Sequence, residues 1–183
     1  MSASENIKIK CRDGETFRIG DMEFIKFPSK DGQTPAVMKD IAFRSRFGNE
    51  NDLRSSTVLK RMQEEILPKV IDAVGADNLC TIRTDLTALD GLKYYGVMES
   101  LVSLPTLDFY RENVEIFDKH NPETWWWLAT PDSAQPHCDP DWVLCVSPSG
   151  DFNCYRFNFI GLGVRPFCIF KSSIFESFEE VNG

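Results

Sequence analysis

Apolar and polar residues alternate in three short stretches near the start of the chain. Ile7-Lys8-Ile9-Lys10-Cys11, Thr16-Phe17-Arg18-Ile19 and Met22-Glu23-Phe24-Ile25-Lys26-Phe27 carry the period of a half-buried strand. Arg12–Glu15 and Gly20-Asp21 supply turns between them, so residues 7–27 predict a small β-meander. A polar loop follows over residues 28–35, and Ala36–Phe43 is short and apolar with no period that decides between strand and helix. Beyond Asn51-Asp52 the spacing becomes helical. Leu59, Met62, Ile66 and Val70 form an apolar stripe, while Leu53, Thr57, Lys60 and Glu64 cover another side. Asn51 or Asp52 is placed to cap the start. Pro68, lacking a backbone donor, predicts a kink or break after Leu67, and Gly75 a C-terminal stop.

In the second half, Asn78–Thr84 and Tyr94–Leu104 predict strands flanking a loop from Asp85 to Gly91. Pro105–Arg111 predicts a short helix, and residues 112–123 read as a polar insertion. Trp125-Trp126-Trp127-Leu128-Ala129-Thr130-Pro131 comes next. Each indole buries about 150–250 Å², so at least two of the three rings should face protein. Trp142–Val146, the turn Ser147–Asp151 and Phe152–Phe157 predict strand, turn and strand. Val164–Phe170 reads as a last buried strand that Pro166 confines to an edge or bulge. Strands and helices in this order give an α+β class. Residues 1–35 hold the meander, part of or appended to a main domain of residues 36–183.

Several of these segments, taken together, carry a resemblance. WWWLATP, a strand–turn–strand with SPSGDF at its turn, and GVRPFCIF resemble a bacterial and phage family of C-type-lectin-like fold. That family is akin to the variable proteins of diversity-generating retroelements and, distantly, to the formylglycine-generating enzymes. Asn51-Asp52-Leu53-Arg54 and Asp85-Leu86-Thr87-Ala88-Leu89-Asp90-Gly91 extend the resemblance over roughly residues 40–170. It implies a mixed fold of small sheets and packed helices, with Trp125, Trp126, Trp127, Gly163, Arg165 and Pro166 as its structural motif. It also implies an exposed recognition face at residues 132–141 and 151–160. Asp132, Ser133, Gln135, His137, Asp139, Asp141, Asn153, Tyr155, Arg156, Asn158 and Phe159 are its candidate ligand-binding residues. Tyr and Arg anchor interfaces well and Asn adapts its hydrogen bonds. If Cys154 points inward on its strand, Asn153 and Tyr155 point outward. Arg165 reads as a structural residue paired with a buried carbonyl or acid.

Composition narrows the function classes. The chain has 183 residues, enough for one domain with a proper core, and a net charge of −8. Scattered basic residues in so acidic a chain argue against nucleic acid as a partner. No signal peptide or membrane-length apolar run is visible, so synthesis in the cytoplasm followed by a place in a virion or at a cell surface is expected. The six cysteines are widely spread and read as small buried hydrophobes.

Catalytic chemistry finds little footing. The two histidines are His120 and His137, and His137 lies beside Cys138, where adjacency disfavours a nucleophile–base pair. His137-Cys138-Asp139 with Asp141 lacks the paired spacing of a structural zinc site. Asp85, Thr87 and Asp90 do not follow the calcium-loop spacing. Cys138, Cys145, Cys154 and Cys168 do not reproduce the close cysteine pair of the formylglycine-generating enzymes. No metal or other cofactor is expected. The expectation is a non-enzymatic ligand-binding or adhesion protein, as a phage structural or receptor-binding component. Its partner would be a protein or glycan on a cell surface, other virion proteins, or a second copy of itself. A structural assembly module is the alternative, and an enzyme of the formylglycine-generating fold is disfavoured.

Overall fold

A computed structural model describes residues 6–137 and 140–178. Strands β1 (Thr16–Ile19) and β2 (Met22–Lys26) form an antiparallel hairpin turned at Gly20, whose φ of 58° suits glycine. Strand β3 (Gln33–Met38) pairs antiparallel with β2 on one side. On its other side it pairs with β11 (Phe167–Lys171), from the far end of the chain. The sheet order is β1-β2-β3-β11, so the N-terminal strands share a sheet with the C-terminal one.

The meander therefore differs from its expectation. Residues 7–11 contribute only an isolated bridge, Ile9 to Phe175, and the third strand is β3, which begins inside the loop expected over 28–35 and runs into the short apolar segment whose period decided neither strand nor helix. Pro35 is tolerated inside β3 because it sits just past the last β2 pair, Lys26 with Ala36. Its missing N–H falls where β2 has ended, while its carbonyl accepts from Phe27 N at 3.0 Å.

The second sheet has the order β4-β10-β7-β8-β9. Its strands are β4 (Phe43–Arg44), β7 (Trp126–Pro131), β8 (Trp142–Val146), β9 (Phe152–Arg156) and β10 (Gly163–Val164). Gly163 pairs with Trp126 in parallel and with Arg44 antiparallel. A Cβ on Gly163 would run into the Ile41 side chain, so glycine is needed at this close approach. The expected single strand over 164–170 is two strands in two sheets. Arg165 and Pro166 make the crossing between β10 and β11, and the Pro166 carbonyl already accepts from Met38 N at the end of β3. A third, two-stranded sheet pairs β5 (Ile82–Asp85) with β6 (Val97–Ser100). The strand expected from Asn78 begins only at Ile82, behind a 3₁₀ turn at Ala76–Asn78.

Residues 57–74 form one helix of 18 residues: α1 (Thr57–Arg61), a π-wound turn (Met62–Ile66) and α2 (Leu67–Val74). Pro68 does not break it. The Leu67 N–H reaches back to Met62 O, and this wide turn relieves the clash that a proline ring makes with the carbonyl four residues earlier. Asp52 caps a 3₁₀ turn at Leu53–Ser55, and Ser56 caps α1. Leu53, expected on a side apart from the apolar stripe, is buried. Gly75 ends the helix at φ 82°. Helices α3 (Leu107–Glu112) and α4 (Val114–Lys119) follow β6. The second occupies the expected polar insertion and buries Phe117 completely.

Both large sheets are covered on both faces. Trp127, Val143, Cys145, Phe24 and Cys168 join the long helix in one core. Trp126, Leu144, Val146, Ile25 and Val37 join Leu107, Tyr110 and Phe117 of α3 and α4 in the other. Adjacent tryptophans thus enter opposite cores, as strand alternation requires. Trp125 is only half-buried. The architecture is α+β with several small sheets, and no helix among the described residues is long and apolar enough to cross a membrane.

Candidate functional site

The segments expected to form one face do meet, at the open edge of the second sheet. β8 and β9 pair in strict antiparallel register, Trp142 with Arg156 through Val146 with Phe152. Past the ladder, Phe157 N donates to Asp141 O at 2.9 Å, and Arg156 Nη2 meets Asp141 Oδ2 at 3.0 Å. A turn closed by Phe159 N to Arg156 O then places Asn158, Phe159 and Ile160 in solvent. Ile160 is 76% exposed and Phe159 46%.

β9 has nothing paired on its outer side among the described strands, and its side chains divide by alternation. Tyr155 lies opposite Val143 and packs with the first core, while Cys154 lies opposite Leu144 and packs with the second. Tyr155 is therefore half-buried rather than outward. Its ring meets Trp125 at 5.5 Å edge-on and Phe159 at 4.8 Å, making an aromatic ridge from the core to the exposed turn. Asn153 is exposed, and its Oδ1 accepts from Cys154 N at 2.8 Å.

A buried asparagine organises the other segment. Asn51 Nδ2 donates to Ser133 O at 2.9 Å and to Trp142 O at 3.0 Å, and its Oδ1 accepts from Tyr95 OH at 2.5 Å. Asn51 N also donates to Pro140 O at 3.0 Å. Asp90 completes the support: its Oδ2 accepts from Ala134 N at 3.3 Å and lies 3.0 Å from His137 Nδ1. Leu89 N and Asp90 N donate to the Pro131 and Asp132 carbonyls. Burial acts to raise the Asp90 carboxyl, but the hydrogen bonds from Leu92, His137 and Ala134 leave it below its ordinary value. Asn51, Tyr95 and Asp90 were not among the expected site residues. The sequence signal was the pairing of the Asn51-Asp52-Leu53-Arg54 and Asp85–Gly91 segments.

Of the expected residues, Tyr155 and Phe159 meet on one face of the edge strand and Arg156 and Asp141 on the other, with Asn153 and Asn158 exposed beside them. Gln135 and His137 are exposed on the neighbouring loop, and Asp132 is half-buried near Cys154. Ser133 is a correction. It is 8% exposed, because Asn51 draws its backbone inward. Asp139, with Cys138, lies outside the described residues. Among the described residues, no three His, Cys, Asp or Glu side chains converge on a metal-sized site.

Arg165 has no place on the face. It is fully buried, donating from Nε to Met38 O at 3.0 Å and from Nη2 to Lys39 O at 3.0 Å and His120 O at 3.3 Å. Its guanidinium sits 4.6 Å from the Trp126 ring centroid, and burial lowers its pKa to about 10. Of the described thiols Cys11, Cys145 and Cys168 are buried as core, while Cys80 and Cys154 are half-buried. Burial pushes Cys145 and Cys168 up to about 12 and Cys11 to about 11. Comparison with protein-family models, curated proteins and solved structures finds no significant match to this chain.

Proposed function

We propose that the chain is a non-enzymatic binding protein of C-type-lectin-like fold, holding its partner on the edge formed by residues 132–141 and 151–160. The observation that carries this reading is the aromatic ridge Trp125–Tyr155–Phe159, continued by Ile160 and flanked by the exposed Asn153 and Asn158, with the Arg156–Asp141 pair on the opposite face of the same edge strand. A rigid apolar centre with a polar rim is what specific recognition needs. The sheet fixes one end of the ridge, and the Asn51 and Asp90 hydrogen bonds hold the neighbouring loop, so little ordering remains for binding. The parallel contact between Gly163 and Trp126 brings the two ends of the lectin-like motif together, which favours that fold assignment.

The non-enzymatic reading rests on the groups that chemistry would use. His120 Nε2 is engaged with Gly14 O at 2.8 Å and His137 with Asp90, and neither histidine shares a hydrogen bond with a described Ser, Thr or Cys side chain. Buried thiols of raised pKa are poor nucleophiles. The partner is a protein or glycan at a cell surface, or a neighbouring protein of a virion.

The test is a binding screen against bacterial surfaces and glycan arrays, with wild type beside Phe159→Ser/Ile160→Ser. Both changed side chains are substantially exposed, so the variant should fold. Wild-type binding that drops about tenfold or more in the variant is the expected result, since interface anchors contribute a few kcal/mol each. Undiminished binding by the variant would remove the ridge from the site. Silence from both proteins would favour a structural role in an assembly.

A further inference from the structure

A second concavity lies on the far side of the Asp85–Gly91 loop, between β5, α3 and β7. It has a volume of about 380 Å³ and is lined by Arg83, Asp85, Thr87, Leu89, Thr106, Asp108, Arg111 and Thr130, among others. That volume lies within the range of small-ligand clefts, about 300–1,000 Å³. Ala88 and Leu107 are buried beneath it, and Leu89 stands 49% exposed at its side. The geometry points to a binding site for a neutral, hydroxyl-rich ligand of the size of one pyranose ring.

Charge is the first argument. Two guanidiniums, Arg83 and Arg111, and two carboxylates, Asp85 and Asp108, line the groove, so its formal charges cancel. A free anion or cation gains nothing from such a balance, whereas a ligand that donates and accepts at several points can use both kinds of group. The charged groups are also available. Arg111 is paired with Asp108 at 2.6 Å with both side chains well exposed, and Arg83 is paired with the exposed Glu99. Such surface pairs contribute little and exchange readily for a ligand hydroxyl.

Hydroxyl accounting gives the second argument. Thr130 Oγ1 accepts from Leu107 N at 2.9 Å, and Thr106 Oγ1 accepts from Phe109 N at 3.1 Å. Each hydroxyl is spent as an acceptor and has its own hydrogen still to give, with no acceptor for it among the described residues. Thr130 is 5% exposed, so its donor is deep in the groove where bulk water serves it poorly. Thr87, by contrast, gives its hydrogen to Asp85 Oδ1 at 2.6 Å and fixes that carboxylate in place. Ligand oxygens accepting from Thr130, Thr106 and Arg111, and ligand hydroxyls donating to Asp85 and Asp108, would satisfy every group. The C–H face of the ring would lie on Leu89. This groove shares no lining residue with the aromatic ridge, and the two readings stand or fall separately.

The experiment is saturation-transfer NMR on the whole chain with glucose, galactose, mannose, N-acetylglucosamine and glucuronate as probes. Beside wild type stand Arg111→Gln, whose side chain is 60% exposed and should not disturb folding, and Lys60→Gln, on the exposed side of the long helix, as a control outside both sites. The expected result is saturation of at least one neutral sugar, weakened about tenfold in Arg111→Gln and unchanged in Lys60→Gln. Absence of transfer to every neutral sugar would overturn the proposal. So would full retention in Arg111→Gln, or a preference for glucuronate over its neutral counterpart.

Discussion

Asn51 and Asp52 are neighbours with opposite fates, and the difference is one of partners. Asp52 turns its carboxylate to Arg54 and caps the turn that precedes the long helix. Asn51, with both a donor and an acceptor on its side chain, can satisfy two carbonyls and a phenol at once, which a carboxylate cannot. Asp85 shows how a carboxylate is used instead. The Thr87 hydroxyl, and then the Thr87 N–H, hold its carboxyl below the ordinary value of 3.8. A carboxyl harder to protonate in the fold than in the unfolded chain stabilises the fold above the ordinary value. That contribution is lost as pH falls through the lower, folded value. In Thr87→Val the main restraint on Asp85 is gone. The gap in melting temperature between wild type and this variant should therefore be widest near neutral pH and shrink progressively as pH falls below the ordinary carboxyl value. A gap that stays constant with pH would mean that Thr87 acts by packing alone.

The long helix depends on its first residue boundary. Ser56 Oγ accepts from Leu59 N at 3.0 Å and donates to Leu53 O at 2.8 Å, tying cap and preceding turn together in a buried position. Ser56→Ala should cost about 1–2 kcal/mol in urea unfolding, the upper part of the range for lost caps. A loss within about 0.3 kcal/mol would show that tertiary packing alone fixes the helix start. This helix was legible in sequence because its buried side repeats over five turns or so. So were the hairpins at residues 16–26 and 142–156, where alternation meets an unambiguous turn. α4 was not, since a helix of six residues has too few turns to display a period, and Phe117 alone of its residues is fully buried. The continuity through Pro68 was also hidden. A π-wound turn is a property of backbone hydrogen bonding that no residue type announces.

In the assembled molecule the two large sheets share two cores, and this explains what the sequence concealed. Trp126–Pro131 and Val143–Val146 are buried on both faces, so their strands read as unbroken apolar runs without alternation. The strand–turn–strand that carries the candidate face was legible, with its polar flanking loop. The inward turn of Ser133 was not, because Asn51 lies far away in sequence. Nor could the division of residues 163–171 between two sheets be read from Pro166 alone. That division makes Arg165 the point where the sheets are joined. From the crossing it reaches the end of β3 through the Met38 and Lys39 carbonyls, and the end of α4 through the His120 carbonyl. With a pKa lowered only to about 10 it remains charged at neutral pH, and the Trp126 ring beneath it offsets part of its desolvation. Arg165→Ala would leave three carbonyls short of a donor beside a new cavity. A loss on the order of 3–4 kcal/mol in urea unfolding, followed by tryptophan fluorescence, is expected. Arg165→Lys should recover only part of it, because one ammonium on a flexible stem cannot reproduce the planar fork that spans β3 and α4. If alanine cost under about 1 kcal/mol, or lysine restored full stability, the joint between the sheets would have to lie elsewhere, in the apolar contacts of the shared cores.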